Sequence, residues 1–287
     1  MRRYLSLIKF SHTIFALPFA LLGYFLAAHY LPEGFQWRTL GLVVLCMIFA
    51  RSAAMAFNRL LDRKIDAANP RTATREVPAG IISARGAAVF VAINCALFIL
   101  CAYLINPLCF ALSPVALLII LGYSYTKRFT FLCHFVLGLG LALAPLGAWL
   151  AVGGQFDVLP LLYAGAVLLW VAGFDIIYAL QDENFDRSQQ LQSVPVRLGT
   201  QRAMQLSNGL HVACAVLILL AAYQLSVLFP AMGWLHWVAA VLFIGLLAYQ
   251  HRLVQPDDLS KVDLAFFTTN GVASLVFGGL VILDLYV

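Results

Sequence analysis

Long stretches without a single Asp, Glu, Lys or Arg limit what this chain can fold into more than any other feature. Phe10–Pro32, Gly86–Thr126 and Phe129–Phe156 are all free of charge. A helix that crosses a bilayer needs about 20 mostly apolar residues, and these stretches are long enough. The second is split at Asn106-Pro107, a turn signal between two spans, and Gly153-Gly154 closes the third. Further spans fit Leu40–Phe57, Val158–Gln181, Ala203–Phe229, Met232–Gln250 and Leu264–Leu283. The expected fold is therefore all-α: a multispan transmembrane bundle of nine helices, forming one membrane-embedded domain over residues 1–287. With 63% hydrophobic and 11% charged residues, against about 25% charged in soluble domains, the chain cannot cover a water-facing surface. That excludes a soluble enzyme, a disordered chain and a secreted disulfide scaffold. A β-barrel is excluded because its strands alternate apolar and polar residues.

The basic residues give the orientation. Sixteen of the 18 Lys and Arg fall in the N-terminal segment and in alternate connections, at Arg59 to Arg85, Lys127-Arg128, Arg187 to Arg202, and Arg252 to Lys261. The positive-inside rule then places the N-terminus in the cytoplasm and the C-terminus outside. The same rule accounts for the net charge of +5 without a nucleic-acid partner. Arg2, Arg3 and Lys9 precede an apolar stretch long enough to span, with no clear small-residue cleavage site, so the start reads as a span and not a cleavable signal peptide. The six cysteines all lie in apolar spans without a CxxC pair and read as packing residues. Trp37, Trp149 and Trp234 fall near predicted helix ends, as an aromatic belt would.

Two acidic clusters stand out. Asn58, Asp62 and Asp66 recur every four residues at the cytoplasmic end of the second span, on one helix face. Asp182, Glu183 and Asp186 end the sixth span, with Asp175 and Tyr178 on the face of Asp182 and deeper. Like charges at i,i+4 destabilise an isolated helix, so each pair needs compensation or a ligand. Both clusters end helices that run inward. Asp62/Asp182 and Asp66/Asp186 are each 120 residues apart, and Val77-Pro78 and Val194-Pro195 are 117 apart. The pattern is that of a parallel pseudo-repeat with halves of about 1–130 and 131–287, bringing four carboxylates together across one cavity. Carboxylates and an amide suit a hard cation such as Mg²⁺, which takes one or two carboxylates with waters and substrate phosphates. Arg59, Arg63, Lys64, Arg75, Lys127, Arg128 and Arg197 gather at the same face and suit a diphosphate, although topology alone accounts for most of them.

Arg51 and Asp175 lie inside spans, where an ionisable residue is functional by default; the other reading is that they neutralise each other. Asp284, at the outer end of the last span, is expected to be interfacial. Thr268-Thr269-Asn270 would line the pocket or hydrogen-bond between helices. His211, His236 and His251 show no metal-ligand spacing.

The motifs RSAAMAFNRLLDRKID, REVPAG, YSYTKR and DIIYALQDENFD, with Ser-x-Pro following, resemble those of the UbiA family of intramembrane aromatic prenyltransferases, which includes 4-hydroxybenzoate polyprenyltransferase. The resemblance runs over nearly the whole length. It implies an Mg²⁺-dependent enzyme of the bacterial inner membrane, acting in quinone biosynthesis with its active site facing the cytoplasm. Its substrates would be a polyprenyl diphosphate and an aromatic acid, with no obligate protein partner. By resemblance Asn58, Asp62, Asp66, Asp182 and Asp186 hold the metal, and Lys127, Arg128, Arg63 and Tyr123 bind the diphosphate. Asp175 and Tyr178 act near the allylic carbon, and Arg51 faces the acceptor. Lys9 and His12 would either reach the acceptor or, as the first reading, form an interfacial basic pair. The sequence departs from the family pattern at Arg59, where Asp commonly follows Asn, and at Gln190, where a smaller residue is common.

Two other readings stay open. These departures and the first helix, KFSHTIFALPFAL, leave a dihydroxynaphthoate acceptor on a menaquinone route as an alternative. A cation-coupled transporter would place its site near the midplane on broken helices, whereas both clusters here sit at the membrane edge.

Overall fold

The computed structural model describes residues 2–7 and 16–287; Lys9 and His12 lie outside the described residues. Helix α1 covers Arg2–Leu7, α2 Leu17–Tyr30, α3 Trp37–Leu61 and α4 Arg63–Ala68. They are followed by α5 Ala84–Ile105, α6 Pro107–Thr126, α7 Cys133–Gly153 and α8 Val158–Ala179. The chain continues through α9 Glu183–Ser188, α10 Val194–Leu198, α11 Thr200–Leu228 and α12 Leu235–Leu253. A π-helical segment, Leu264–Thr269, leads into α13, Asn270–Asp284. Among the described residues, seven helical segments are long and apolar enough to cross a membrane and α2 is a shorter apolar helix, so the protein is an integral membrane protein.

The helix ends follow the local chemistry read from the sequence. Asn106 accepts a hydrogen bond from the Cys109 amide at 2.8 Å, and Pro107 occupies the first turn, where a missing N–H costs nothing. The same Asn106 donates through Nδ2 to the Leu150 carbonyl at 2.8 Å, tying the turn to α7. Gly154 ends α7 with φ +62°, the left-handed C-cap that glycine adopts without penalty.

Neighbouring helices pack side by side from α5 through α6, α7, α8, α11 and α12 to α13, and α2 closes the set against α13, α7 and α3. The central contacts use small residues, as membrane helices do when dispersion and not hydrophobic burial joins them. A Cβ on Gly138 would stand 2.4 Å from the Leu168 carbonyl oxygen, and one on Gly23 would stand 2.3 Å from that of Pro145. The main core lies between α2, α7, α8, α11, α12 and α13, around Phe19, Trp149, Tyr163, Trp170, Phe243 and Phe277.

Two expectations change here. Trp149 is fully buried in this core, whereas Trp37 and Trp234 are exposed as belt residues should be. Asp284 is buried, not interfacial: its Oδ2 accepts from His236 Nδ1 at 2.6 Å and from the His236 amide at 3.0 Å, so it caps α12. Asn270 takes the second of its two expected roles, a hydrogen bond between helices, accepting from Trp170 Nε1 on α8 at 2.9 Å. His211 and His251, far apart in sequence, meet at 2.8 Å, with His211 Nε2 donating to the Trp170 carbonyl.

Candidate active site

The first acidic motif is built where α3 breaks. The helix stops at Leu61, and Asp62 sits at the junction with φ −86° and ψ 4°, so α4 sets off on its own. Asn58 Nδ2 nonetheless donates to Asp62 Oδ2 at 3.1 Å. Asp62 is buried and doubly paired, with Arg128 Nη2 at 2.7 Å from Oδ1 and Lys127 Nζ at 3.0 Å from Oδ2. Arg128 is held in turn by the Ser124 carbonyl at 2.8 Å. Asp66 is buried as well: Arg75 Nη1 donates to Oδ1 at 2.7 Å, while among the described residues Oδ2 makes no hydrogen bond and faces Arg59 Nη1 at 3.9 Å.

The second motif repeats this plan. Asp182 ends a 3₁₀ turn after α8 and precedes α9 with φ −104° and ψ 4°, and both α4 and α9 are six residues long. Arg71, from the connection after α4, grips Asp182 through Nε at 3.1 Å and through Nη2, and donates through Nη1 to the Tyr178 hydroxyl at 2.8 Å. Asn69 Nδ2 reaches Asp182 Oδ1 at 3.3 Å, so a few residues past Asp66 the chain already touches the other motif. Burial pulls the Arg71 guanidinium down, but the bonds to Asp182 and Tyr178 outweigh it and leave it raised. Asp186, on α9, makes no ion pair among the described residues. Burial pushes its carboxyl up to about 6, with Asp182 adding to the rise and the cations Lys127 and Arg71 opposing it. Glu183 turns aside to Arg187 at 3.0 Å and Thr200 at 2.8 Å.

Deeper in the bundle, a cavity of about 380 Å³ lies between α3, α6 and α7. Arg51 and Tyr123 line one end, and Cys109, Leu150 and Phe156 line the other. Tyr123 lies within electrostatic range of Asp62, Arg59 and Asp175, which links this end to both motifs. On α6 the wall from Tyr123 to Cys109 rises about 20 Å at the helical rise per residue, most of a hydrocarbon thickness. Arg51 Nε is buried and has no hydrogen-bond partner among the described residues. Arg51 and Asp175 do not form the structural pair that the sequence left open; Asp175 pairs instead with His134, at 2.7 Å.

The sequence pattern of the UbiA prenyltransferase family matches residues 16–272. The chain belongs to the UbiA prenyltransferase family. A relative from Saccharophagus degradans, named 4-hydroxybenzoate octaprenyltransferase, is 32% identical over 259 residues, covering 90% of this chain and 83% of that one. One from Aliivibrio fischeri with the same name is 29% identical over 257 residues, covering 88% and 85%. Among solved structures, a UbiA homologue from Aeropyrum pernix K1 superposes with a TM-score of 0.84 at 33% identity, covering 95% of this chain and 98% of that one. A UbiA homologue from Archaeoglobus fulgidus bound to GPP and Mg²⁺ shares the fold at a TM-score of 0.76 and 21% identity, covering 99% and 100%. As a UbiA-family protein the chain is a prenyltransferase.

Against the residues expected from sequence, this UbiA-family site is more evenly paired than four converging carboxylates. Asp62, Asp66 and Asp182 each already hold a base, and among the described residues no three acidic, His or Cys side chains come together as a ready-made metal cage. Arg63 is exposed and bonds the Leu60 carbonyl at 2.8 Å, away from the acids. The bases that do meet carboxylates include Arg71, which the sequence offered only as one of six positive residues between Arg59 and Arg85. Asn69 and His134 carried no sequence signal at all. The donor set fits a hard divalent cation in the way Mg²⁺ usually binds, through few carboxylates. One oxygen on the first motif, Asp66 Oδ2, is buried without a hydrogen bond, and one carboxylate on the second, Asp186, has no ion-pair partner among the described residues.

Proposed function

We propose that the chain transfers a polyprenyl group from a polyprenyl diphosphate to an aromatic acid of the 4-hydroxybenzoate type, with Mg²⁺, in quinone biosynthesis. The observation that carries this reading is the junction of two unlike environments. Acids and bases from both motifs bridge through Asn69 and Arg71, and Tyr123, which lines the Arg51 end of an apolar cavity, lies within electrostatic range of Asp62 and Asp175. A charged head and a long apolar tail, joined by one reacting carbon, match that junction.

In this reading Asn58, Asp62, Asp66, Asp182 and Asp186 hold Mg²⁺. When bound, the ion supplies positive charge against the negative charge that grows on the leaving diphosphate. Lys127, Arg128 and Arg71 bind the phosphate oxygens and stabilise the same charge by charge-assisted hydrogen bonds. The allylic C–O bond breaks with its electron pair going to the diphosphate, and a ring carbon of the acceptor forms the new C–C bond. Arg51, with its unpartnered Nε, pairs with the acceptor carboxylate and so aims the ring. Asp175 and Tyr178 stabilise the allylic cation, and Asp175 or the released diphosphate takes the ring proton. The prenyl tail lies in the cavity between α3, α6 and α7.

The same reading gives a nine-span topology in which α2 and α12 complete the seven long apolar segments. The N-terminus and the site face the cytoplasm of a bacterial inner membrane, and the C-terminus faces outward. Positive-inside asymmetry supports it, and cysteine labelling from either side of the membrane tests it. One domain with a parallel pseudo-repeat is supported by the matched backbone at Asp62 and Asp182.

The test is turnover in membranes with Mg²⁺, a polyprenyl diphosphate, and 4-hydroxybenzoate or dihydroxynaphthoate side by side. Asp62→Asn and Asp182→Asn should abolish product while the protein still inserts, and EDTA should do the same. Full activity in both variants, or in excess EDTA, overturns the metal–diphosphate reading, and product from the naphthoate alone overturns the acceptor.

A further inference from the structure

We propose that His134 is the positioning residue of Asp175, holding that acid in one orientation at the reacting end of the cavity. The proposal rests on the reading of Asp175 given above. His134 is the second residue of α7, Asp175 lies on α8, and their sequence separation of 41 gives no local reason for them to meet. His134 Nδ1 nevertheless lies 2.7 Å from Asp175 Oδ2, and the imidazole side chain is only 3% exposed against 21% for the carboxylate.

The other ring nitrogen defines the role. The Val194 amide points at His134 Nε2 at 3.3 Å, and an N–H can only donate. Nε2 therefore offers its lone pair, and the single ring proton sits on Nδ1, donated to Asp175. A doubly protonated ring would set two donors against each other at Val194. Such a histidine cannot relay a proton onward, because its far nitrogen is already occupied. It fixes one oxygen of Asp175, while among the described residues Oδ1 keeps no hydrogen bond.

The segment that fixes His134 also touches the phosphate side of the site. The Gln192 amide donates to the Lys127 carbonyl at 2.6 Å, Cys133 Sγ reaches the Gln192 carbonyl at 3.6 Å, and Val194 follows two residues later. Residues 192–194 thus join the backbone of Lys127 to the ring that orients Asp175. The distance between the phosphate-binding base and the acid is set by this short bridge, which runs from the connection after α9 into the first residue of α10. Misplacing a reacting group by about 1 Å can cost on the order of 100-fold in rate, so such a bridge has a catalytic consequence.

Glutamine provides a discriminating substitution. Its Nε2–H can donate to Asp175 while its Oε1 accepts from the Val194 amide, so His134→Gln reproduces both bonds and His134→Ala neither. The experiment measures kcat and the KM for each substrate, with thermal unfolding in detergent, for His134→Ala, His134→Gln, Asp175→Asn and the double variant His134→Ala/Asp175→Asn. The expected result is a kcat reduced by about 10- to 100-fold in His134→Ala, with the prenyl diphosphate KM within about twofold. His134→Gln should recover most of the turnover, and the double variant should be no slower than Asp175→Asn alone, since the two residues act as one unit. Unchanged kcat in His134→Ala beside a slow Asp175→Asn overturns the proposal and leaves the reading of Asp175 standing. Full activity in Asp175→Asn overturns that reading itself. Equal loss in His134→Ala and His134→Gln, tracking a lowered melting temperature, makes His134 a structural staple and overturns the proposal.

Discussion

Gly138→Ala tests whether the approach of α7 to α8 sets the geometry of the acid. Gly138 is one turn beyond His134 on α7, and Leu168 is seven residues before Asp175 on α8. A methyl group on Gly138 would stand 2.4 Å from the Leu168 carbonyl oxygen, whereas ordinary contact begins at 3.4 Å. The obstacle is backbone on a buried helix, so no rotamer change can relieve it. The helices must part by about 1 Å, which would carry His134 Nδ1 and Asp175 Oδ2 from 2.7 Å to about 3.7 Å, beyond hydrogen-bonding range. Overpacking of this kind costs about 1–3 kcal/mol, and the lost hydrogen bond adds about 1 kcal/mol.

The assay pairs thermal unfolding in detergent with turnover in membranes. Gly138→Ala should melt lower than the parent and lose kcat to an extent similar to His134→Ala. Gly245→Ala on α12 is the control, because nothing lies within 4 Å of its added carbon and it is remote from the cavity. That variant should melt at or slightly above the parent temperature, since alanine is favoured over glycine in a helix by about 0.5–1 kcal/mol. Parental melting and parental turnover in Gly138→Ala would refute the reasoning, because the contact at Leu168 would then be slack and the α7–α8 spacing irrelevant to Asp175.

Three further outcomes are expected. Arg71→Gln removes the guanidinium shared by Asp182 and Tyr178, so the KM for the prenyl diphosphate should rise by about tenfold or more, as initial-rate kinetics would show. Gln190 is the one non-glycine residue with positive φ among those described, at +55°, and Gln190→Gly should raise the melting temperature by relieving about 1 kcal/mol of left-handed strain. Because Asp186 is raised to about 6, its carboxylate form is lost as pH falls through that value. Mg²⁺ affinity measured by calorimetry should then weaken below pH about 6, with proton release on binding in the same window, and Asp186→Asn should abolish that release.

The spans were legible because each carries its own signal: uninterrupted apolar length, with Asn106-Pro107 and Gly153-Gly154 as punctuation. The two acidic motifs were legible for a similar reason, since four-residue spacing is a local property. Local periodicity also set the limit. It put Asn58, Asp62 and Asp66 on one continuous helix face, whereas the backbone breaks at Asp62 and only Asn58 and Asp62 stay in contact. Contacts made across the bundle left no trace in sequence spacing. Arg71 meets Asp182 across 111 residues, and His236 meets Asp284 across 48. The departure at Gln190 was visible as an unusual residue, but that it occupies a left-handed turn follows only from the fold.

The pairing also governs how substitutions in the motifs should be interpreted. A buried ion pair gives little net stability, but removing one partner leaves an uncompensated buried charge that costs about 3–5 kcal/mol. Asp62 is almost wholly buried and holds both Lys127 and Arg128, so Asp62→Asn strips two bases of their anion at once. Part of any lost activity would then come from the unpaired cations and not from a missing metal ligand. Asp186 has no ion-pair partner to strand among the described residues, so Asp186→Asn isolates the ligand role with far less disturbance. If Asp62→Asn destabilises the protein while Asp186→Asn leaves its melting unchanged and both abolish turnover, the carboxylates serve the chemistry in common. If only Asp62→Asn loses activity, the second motif works through Arg71 and Asp182, and Asp186 is no ligand.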